Sequence, residues 1–240
     1  MYTHITMLID ESGSMGHLQQ SVIESIQGLI KKQQDIPEPC TITISTFDTS
    51  GNFGNTHWNI GNTHWNNSGT GFYTTTPPRN ILRTPIRMAN IQSASFTEYH
   101  PNGGTPLFEA ICREVDATGR DLAALPATER PEKVIFVIMT DGAENSSLRE
   151  YPIEEVKKRI ECQTNTYKWE FLFLGANIDA FTLGTHFGLA ATNISTYHTT
   201  SVGYTTTTDM LSSKMSTVRT GTASSMSFTP DEQHQLNTTK

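Results

Sequence analysis

Residues 7–18 read MLIDESGSMGHL. An apolar run stops at Asp10, hydroxyls follow at Ser12 and Ser14, and Leu18, Val22, Ile26, Leu29 and Ile30 then recur at helical spacing. A short, nearly continuous apolar run such as HITMLID suits a central strand covered on both faces. A helix that starts directly after it makes the pair the opening of a β–α unit. The stretch therefore predicts a buried strand whose carboxyl end presents one carboxylate and two hydroxyls within five residues.

Outward from this unit the pattern repeats. Pro37 and Pro39 stop the first helix, and CTITISTF (40–47) alternates as a strand. NILRTPIRM is extended but holds Pro85, which places it at a sheet edge. Thr105-Pro106 opens a helix with Leu107, Ile111 and Val115 on one face. KVIFVIM (133–139) is the most apolar strand and ends at Thr140 and Asp141. Pro152 opens a helix carrying Ile153, Val156 and Ile160, and WEFLFLGA (169–176) is a further strand. A helix near 178–186, a strand near 190–196 and a helix over about 203–218 follow, the last resting on Leu211, Met215 and Val218 despite four weak helix formers at 205–208. After Gly221 the chain is rich in Ser, Thr and Gln, which predicts a flexible tail over 221–240, or one ordered only by a partner. Residues 1–220 read as one domain, an α/β doubly wound, mostly parallel sheet with helices on both faces.

The bulk properties fit such a domain. A chain of 240 residues supports one sizeable core. Its net charge of −7 supplies no basic excess for nucleic acid, and no run of about 18 apolar residues is present to span a membrane. The amino-terminal segment reads as a first strand and not as a secretory signal, so a cytoplasmic or virion-associated location is expected. Cys40, Cys112 and Cys162 are odd in number and widely spaced; they are expected to be small apolar residues in a reducing compartment. The lack of a C-x-x-C pair argues against zinc.

In doubly wound sheets ligands bind beyond the carboxyl ends of the strands. Three polar clusters fall on that edge: Asp10, Ser12 and Ser14; Thr105; and Asp141. All carry hard oxygen donors, which suit magnesium, with manganese as the alternative. The hydroxyls add ligation without repulsion, the two carboxylates balance a divalent cation, and a remaining vertex suits an external carboxylate. Singly, each residue also has a local reading: Ser14, Thr105 and Asp10 as helix caps, Asp141-Gly142 as a turn.

The order D-x-S-x-S at 10–14, a threonine within G-G-T-P-L at 105, and T-D-G around 141 resembles the von Willebrand factor type A domain and its metal-ion-dependent adhesion site. The likeness covers roughly residues 1–200, and DGAENSS, WEFLFLGANIDA and the G-T-x-F-G-L segment are similar to stand-alone bacterial and bacteriophage members. The resemblance implies a six-stranded sheet whose antiparallel edge strand is NILRTPIRM. It also implies a binding module that engages an acidic side chain of a partner protein through the metal held by Asp10, Ser12, Ser14, Thr105 and Asp141.

Two other classes stand beside this reading. S-G-S-M-G departs from the nucleophile-elbow pattern G-x-S-x-G at Ser12. His186 and His198 are the candidate supporting histidines, and Glu11 and Glu144, the only general-base candidates for a magnesium-dependent hydrolase, are expected in solvent at the rim. The sequence thus favours a binding module over an enzyme. The third class is a structural or assembly component, such as one in a phage particle. GNTHWNIGNTHWNN repeats a seven-residue unit, and residues 54–67 are expected to form an inserted arm. Trp58 and Trp65, with His57 and His64, would there contact a partner or a second copy, or the tryptophans would fold back and cover the sheet edge.

Overall fold

In a computed structural model, residues 1–49, 79–87 and 96–239 are described, with 79–87 as backbone path only. Trp58, Trp65, His57, His64 and the whole 54–67 arm lie outside the described residues. The six strands are β1 (Thr3–Asp10), β2 (Cys40–Phe47), β3 (Arg79–Arg87), β4 (Lys133–Thr140), β5 (Glu170–Gly175) and β6 (Ile194–Thr196). They form one sheet in the order β3-β2-β1-β4-β5-β6. All neighbours are parallel except β3, which runs antiparallel to β2 at the edge. The β2–β3 register slips between Ile42 and Ile44, opposite the segment that holds Pro85. A proline without an N–H is tolerated at such an outer, irregular position.

The helices are α1 (Gln19–Gln34), α2 (Leu107–Ala124), α3 (Ile153–Tyr167), α4 (Ala180–His186), α5 (Ser201–Arg219) and α6 (Pro230–Thr238). A 3-10 segment, Gly13–Leu18, joins β1 to α1. Every residue of β1 is buried, and alternation divides them between two cores. Ile5, Met7 and Ile9 join Val22, Ile26 and Leu29 of α1 and Leu211, Met215 and Val218 of α5. Leu8 joins Leu107, Ile111 and Val115 of α2 and Val156 and Ile160 of α3. The threonines of α5 do not break it, because Thr207 and Thr208 donate their hydroxyls to the carbonyls of Gly203 (2.8 Å) and Tyr204 (3.0 Å) one turn back.

Two expectations are corrected. The segment after Gly221 is not a loose tail but packs on the domain. Thr229 and Glu232 form a reciprocal capping box at the start of α6. Met226, Phe228 and Leu236 enter the α1–α5 core. Phe228 N–H bonds to Thr192 O at 2.6 Å, and Gln233 Nε2 bonds to Ala191 O and Ile194 O, so the segment also covers the β6 edge. Polar composition hid three apolar anchors spaced among it. Cys162 is likewise not a core residue: Cys40 and Cys112 are buried, whereas Cys162 is exposed on α3. Among the described residues no helix is long and apolar enough to cross a membrane.

Two predictions follow from this packing. Leu236→Ala should cost about 2–5 kcal/mol, the usual loss for a fully buried leucine; a denaturant midpoint equal to that of the native chain would show that α6 is not part of the cooperative unit. The second concerns His4, fully buried on β1 between Thr41 Oγ1 (2.9 Å) and Thr6 Oγ1 (3.1 Å). Burial holds its pKa down to about 3 from 6.5. The unfolded chain therefore binds a proton that the folded chain refuses, and stability from this group is lost as pH falls below about 6.5 towards 3. His4→Gln should flatten that acid limb in urea melts measured between pH 7 and 5.

Candidate metal centre at the carboxyl edge of the sheet

The register places the carboxyl ends of β1 and β4 side by side, Ile9 opposite Met139, with Asp10 and Thr140 next along. Thr140 Oγ1 donates to Asp10 Oδ2 at 2.6 Å. Ser12 N–H donates to Asp10 Oδ1 at 2.8 Å, the side-chain-to-backbone turn that bends the chain out of β1. Ser12 is extended (φ −65°, ψ 162°) and occupies the cap position of the 3-10 segment, but its side chain makes no cap bond. Its hydroxyl instead lies 3.0 Å from Ser14 Oγ, and Ser14 Oγ donates to Asp141 Oδ1 at 2.7 Å. The first and third clusters are thereby joined through side chains.

Thr105 arrives by a different device. The residue at the cap position of α2 is Pro106, and no side chain caps from there. The amides at the start of α2 are satisfied from the loop after β4. Glu144 accepts from Phe108 N–H (2.8 Å) and Ser147 Oγ from Glu109 N–H (2.9 Å). Asn145 Oδ1 accepts from Thr105 N–H at 2.8 Å. The Thr105 hydroxyl is thus left uncommitted: it makes no hydrogen bond among the described residues. A Cβ built on Gly142 would lie 3.3 Å from Thr105 Oγ1 and 3.8 Å from Ser14 Oγ, so these two hydroxyls flank the glycine after Asp141. The structure brings Asp10, Ser12, Ser14, Thr105 and Asp141 to one spot. The cap readings of Ser14 and Thr105 do not hold, because neither side chain caps a helix.

Glu11 and Glu144, expected in solvent, are structural. Glu11 is buried, bonded through its carboxylate to the Thr46 hydroxyl and to His100 N–H at 2.5 Å. Its backbone carbonyl accepts from Asn102 N–H (2.9 Å), and Gly13 N–H donates to Gly103 O (3.1 Å). Glu144 accepts, besides Phe108, Ser146 N–H, Ser147 N–H and Ser147 Oγ. Both glutamates lock neighbouring loops together. Gly104 sits where those loops meet: a Cβ there would collide with Ser146 Oγ and lie 2.9 Å from Asn145 Oδ1. Sequence reading missed Thr140 and Tyr99, whose hydroxyl donates to Asp10 O at 2.5 Å; only the T in T-D-G offered a signal.

Asp10, Ser12, Thr105 and Asp141 are buried, while Ser14 is exposed and marks the open side. Burial pushes the Asp10 carboxyl up to about 6, against hydrogen bonds from Thr140 and Ser12 that pull it down. Asp141 is also raised, chiefly by burial. Asp141 Oδ2 is buried with no hydrogen-bond partner. An unpaired, buried carboxylate oxygen is costly, and a hard cation is the group this donor set would satisfy. Among the described residues no group of three or more His, Cys, Asp and Glu side chains could hold a metal; this set has two carboxylates and draws its other donors from hydroxyls.

The histidines do not complete a nucleophile's dyad at Ser14. His17 directs Nδ1 to the Ser14 carbonyl (2.9 Å) and Nε2 to Thr199 O (2.8 Å), not to Ser14 Oγ. His198 Nε2 lies on Asn237 O, and His186 is exposed at the end of α4.

No family model matches the sequence, and no curated protein matches it. Solved structures do match. The pilus adhesin SpaC from Lactobacillus rhamnosus GG, in its open conformation, aligns with a TM-score of 0.58 and 12% identity over 89% of this chain and 30% of its own. Proximal thread matrix protein 1 from the mussel byssus, with a zinc-occupied MIDAS motif, aligns at 0.55 and 11% over 87% of this chain and 46% of its own. A von Willebrand factor type A protein from Catenulispora acidiphila aligns at 0.54 and 12% over 88% and 42%. The chain spans less than half the length of each. At these identities the likeness is one of fold, and the fold of this chain is that of the von Willebrand factor type A domain.

Proposed function

We propose that the chain is a metal-dependent protein-binding module. Asp10, Ser12, Ser14, Thr105 and Asp141 would hold a divalent cation, magnesium by donor chemistry with manganese as the alternative. The observation that carries this reading is the buried, unpartnered Asp141 Oδ2 beside three hydroxyls of which none caps a helix. When bound, the cation supplies an open position for a hard anionic oxygen on the side where Ser14 is exposed. An Asp or Glu side chain of a protein partner brings that oxygen together with the charge that suits it. Asp10 acts chiefly through geometry: Thr140 and Ser12 N–H fix both of its oxygens, so its charge is held in place before any ligand arrives. A role in adhesion or assembly accords with the adhesin and thread-matrix proteins that share the fold.

Asp141→Asn separates this from a purely structural site. In chelator, the variant should melt no lower than the native chain, because it removes a buried charge that only a cation offsets. In magnesium or manganese the native chain should gain about 2.7 kcal/mol at a hundredfold excess over Kd, and Asp141→Asn should gain nothing. Silent calorimetry for both metals with the native chain would defeat the proposal. A pH series adds an independent check. With the folded Asp10 pKa near 6, above its ordinary 3.8, the proton competes with the metal. Metal affinity should therefore fall as pH drops from 7 through 6, while the stability that protonation lends the metal-free fold is present at pH 4 and lost as pH rises through 6. For the partner, peptides selected on the metal-loaded chain should lose binding in chelator and on Asp/Glu→Asn/Gln change.

A further inference from the structure

At the opposite end of the sheet lies a cavity with about 590 Å³ of space. It opens at the amino ends of β4 and β5, between the C-terminal turns of α2 and α3, roughly 25 Å from the carboxyl edge by the rise of an eight-residue strand. Its floor is Leu122, Val134 and Trp169, all buried, and Tyr167 stands at its rim 64% exposed. That exposure is unusual for so large a ring and has a backbone cause. Lys168, between the two aromatics, takes the left-handed conformation (φ 60°) at the C-cap of α3, which leaves Tyr167 on the helix end and turns Trp169 inward onto Phe136 and Phe171. The size is that of a small-molecule site.

The charges at this cavity are not evenly engaged. Of its two carboxylates, Asp116 accepts from Arg159 Nε with both oxygens (3.1 and 3.0 Å), and Glu132 accepts from Tyr2 N–H at 3.0 Å. The two arginines have no carboxylate partner among the described residues. Arg130 is preorganised: Nε donates to Leu125 O (3.0 Å) and Nη2 to Ala123 O (2.8 Å), so the last carbonyls of α2 hold the guanidinium and Nη1 is left over. Arg120 reaches the same space from α2. An aromatic-walled cavity with two guanidinium groups that no carboxylate pairs among the described residues matches a planar anion.

Gly119 is a third, independent observation. It lies in the interior of α2, where glycine is among the poorest helix formers. Packing does not demand it, since a Cβ there would meet Gln163 Nε2 at 3.5 Å and Trp169 Cη2 at 4.0 Å, both ordinary contacts. A longer side chain would extend towards Trp169 and fill the cavity. Glycine here keeps the space open at a cost to the helix.

From these observations we infer that the α2–α3 cavity is a binding site for a small aromatic carboxylate, its ring against Trp169 and Tyr167 and its anionic group on Arg130 and Arg120. The site is separate from the metal centre, and its test does not depend on that centre. The probes are naphthalene-2-carboxylate and its neutral amide, titrated into the full chain in chelator by calorimetry and by the amide shift of Gly119. The carboxylate should bind saturably and about tenfold or more tighter than the amide. Arg120→Gln with Arg130→Gln should bring the two ligands within about twofold of each other. Gly119→Leu should abolish both with the circular dichroism spectrum retained; should that variant not fold, Tyr167→Ala should weaken both ligands in its place. Equal affinity for carboxylate and amide, or no Gly119 shift at about 10 mM ligand, the weak limit of useful affinity, would overturn the inference.

Discussion

The hydrogen bond from Thr140 to Asp10 is the contact on which the polar end of this domain depends. It ties the ends of the two central strands through a carboxylate that burial would otherwise disfavour. The apolar run of β1 has no freedom in the matter. Its residues are buried on both faces, and a one-residue shift would exchange its two cores. Register thus delivers Asp10 beside Thr140, and the turn through Ser12 N–H then sets Ser14 beside Asp141. Hydrophobic packing fixes where the charges go, and a few polar contacts decide which way they face.

A second constraint explains why a threonine can take part at all. The start of a helix normally claims a nearby hydroxyl, because its first amides lack partners. Here the loop 144–147 supplies Glu144 and Ser147 to Phe108 and Glu109, and Asn145 to Thr105. Capping from a distant loop releases the local hydroxyl for other work. It also couples the two loops mechanically, so a disturbance of the DGAENSS segment reaches Thr105 through backbone bonds and not merely through proximity. Glu11 plays the equivalent part on the other side, fastening the segment around His100 and Asn102 to the turn after β1.

The mostly parallel sheet and the strand ends that carry the five candidate residues were legible because strand ends and helix starts carry strong local signals. MLID, KVIFVIM and WEFLFLGA are apolar beyond confusion, and their polar successors announce the carboxyl edge. What surrounds the site was not legible. Thr140, Tyr99 and Glu11 act through tertiary contacts that leave no periodicity, and a glutamate next to a ligand reads as solvent-facing until the covering segment is known. The C-terminal segment misled for another reason. Its three apolar anchors, Met226, Phe228 and Leu236, are too widely spaced in a polar stretch to make a pattern, yet each is fully or almost fully buried. The capping pair Thr229 and Glu232, with Pro230 between them, was the available sign.

α2 links the two ends of the molecule in a way that composition does not suggest. Its amino end receives the Glu144 carboxylate at Phe108 N–H, the matching charge for the positive end of a helix dipole. At its carboxyl end the guanidinium of Arg130 rests on the Ala123 and Leu125 carbonyls, the matching arrangement for the negative end. One helix therefore carries Glu144 at the end where strands finish and Arg130 at the end where they begin. A net charge of −7 conceals this separation. The proposed divalent cation and aromatic carboxylate would consequently meet opposite edges of one sheet.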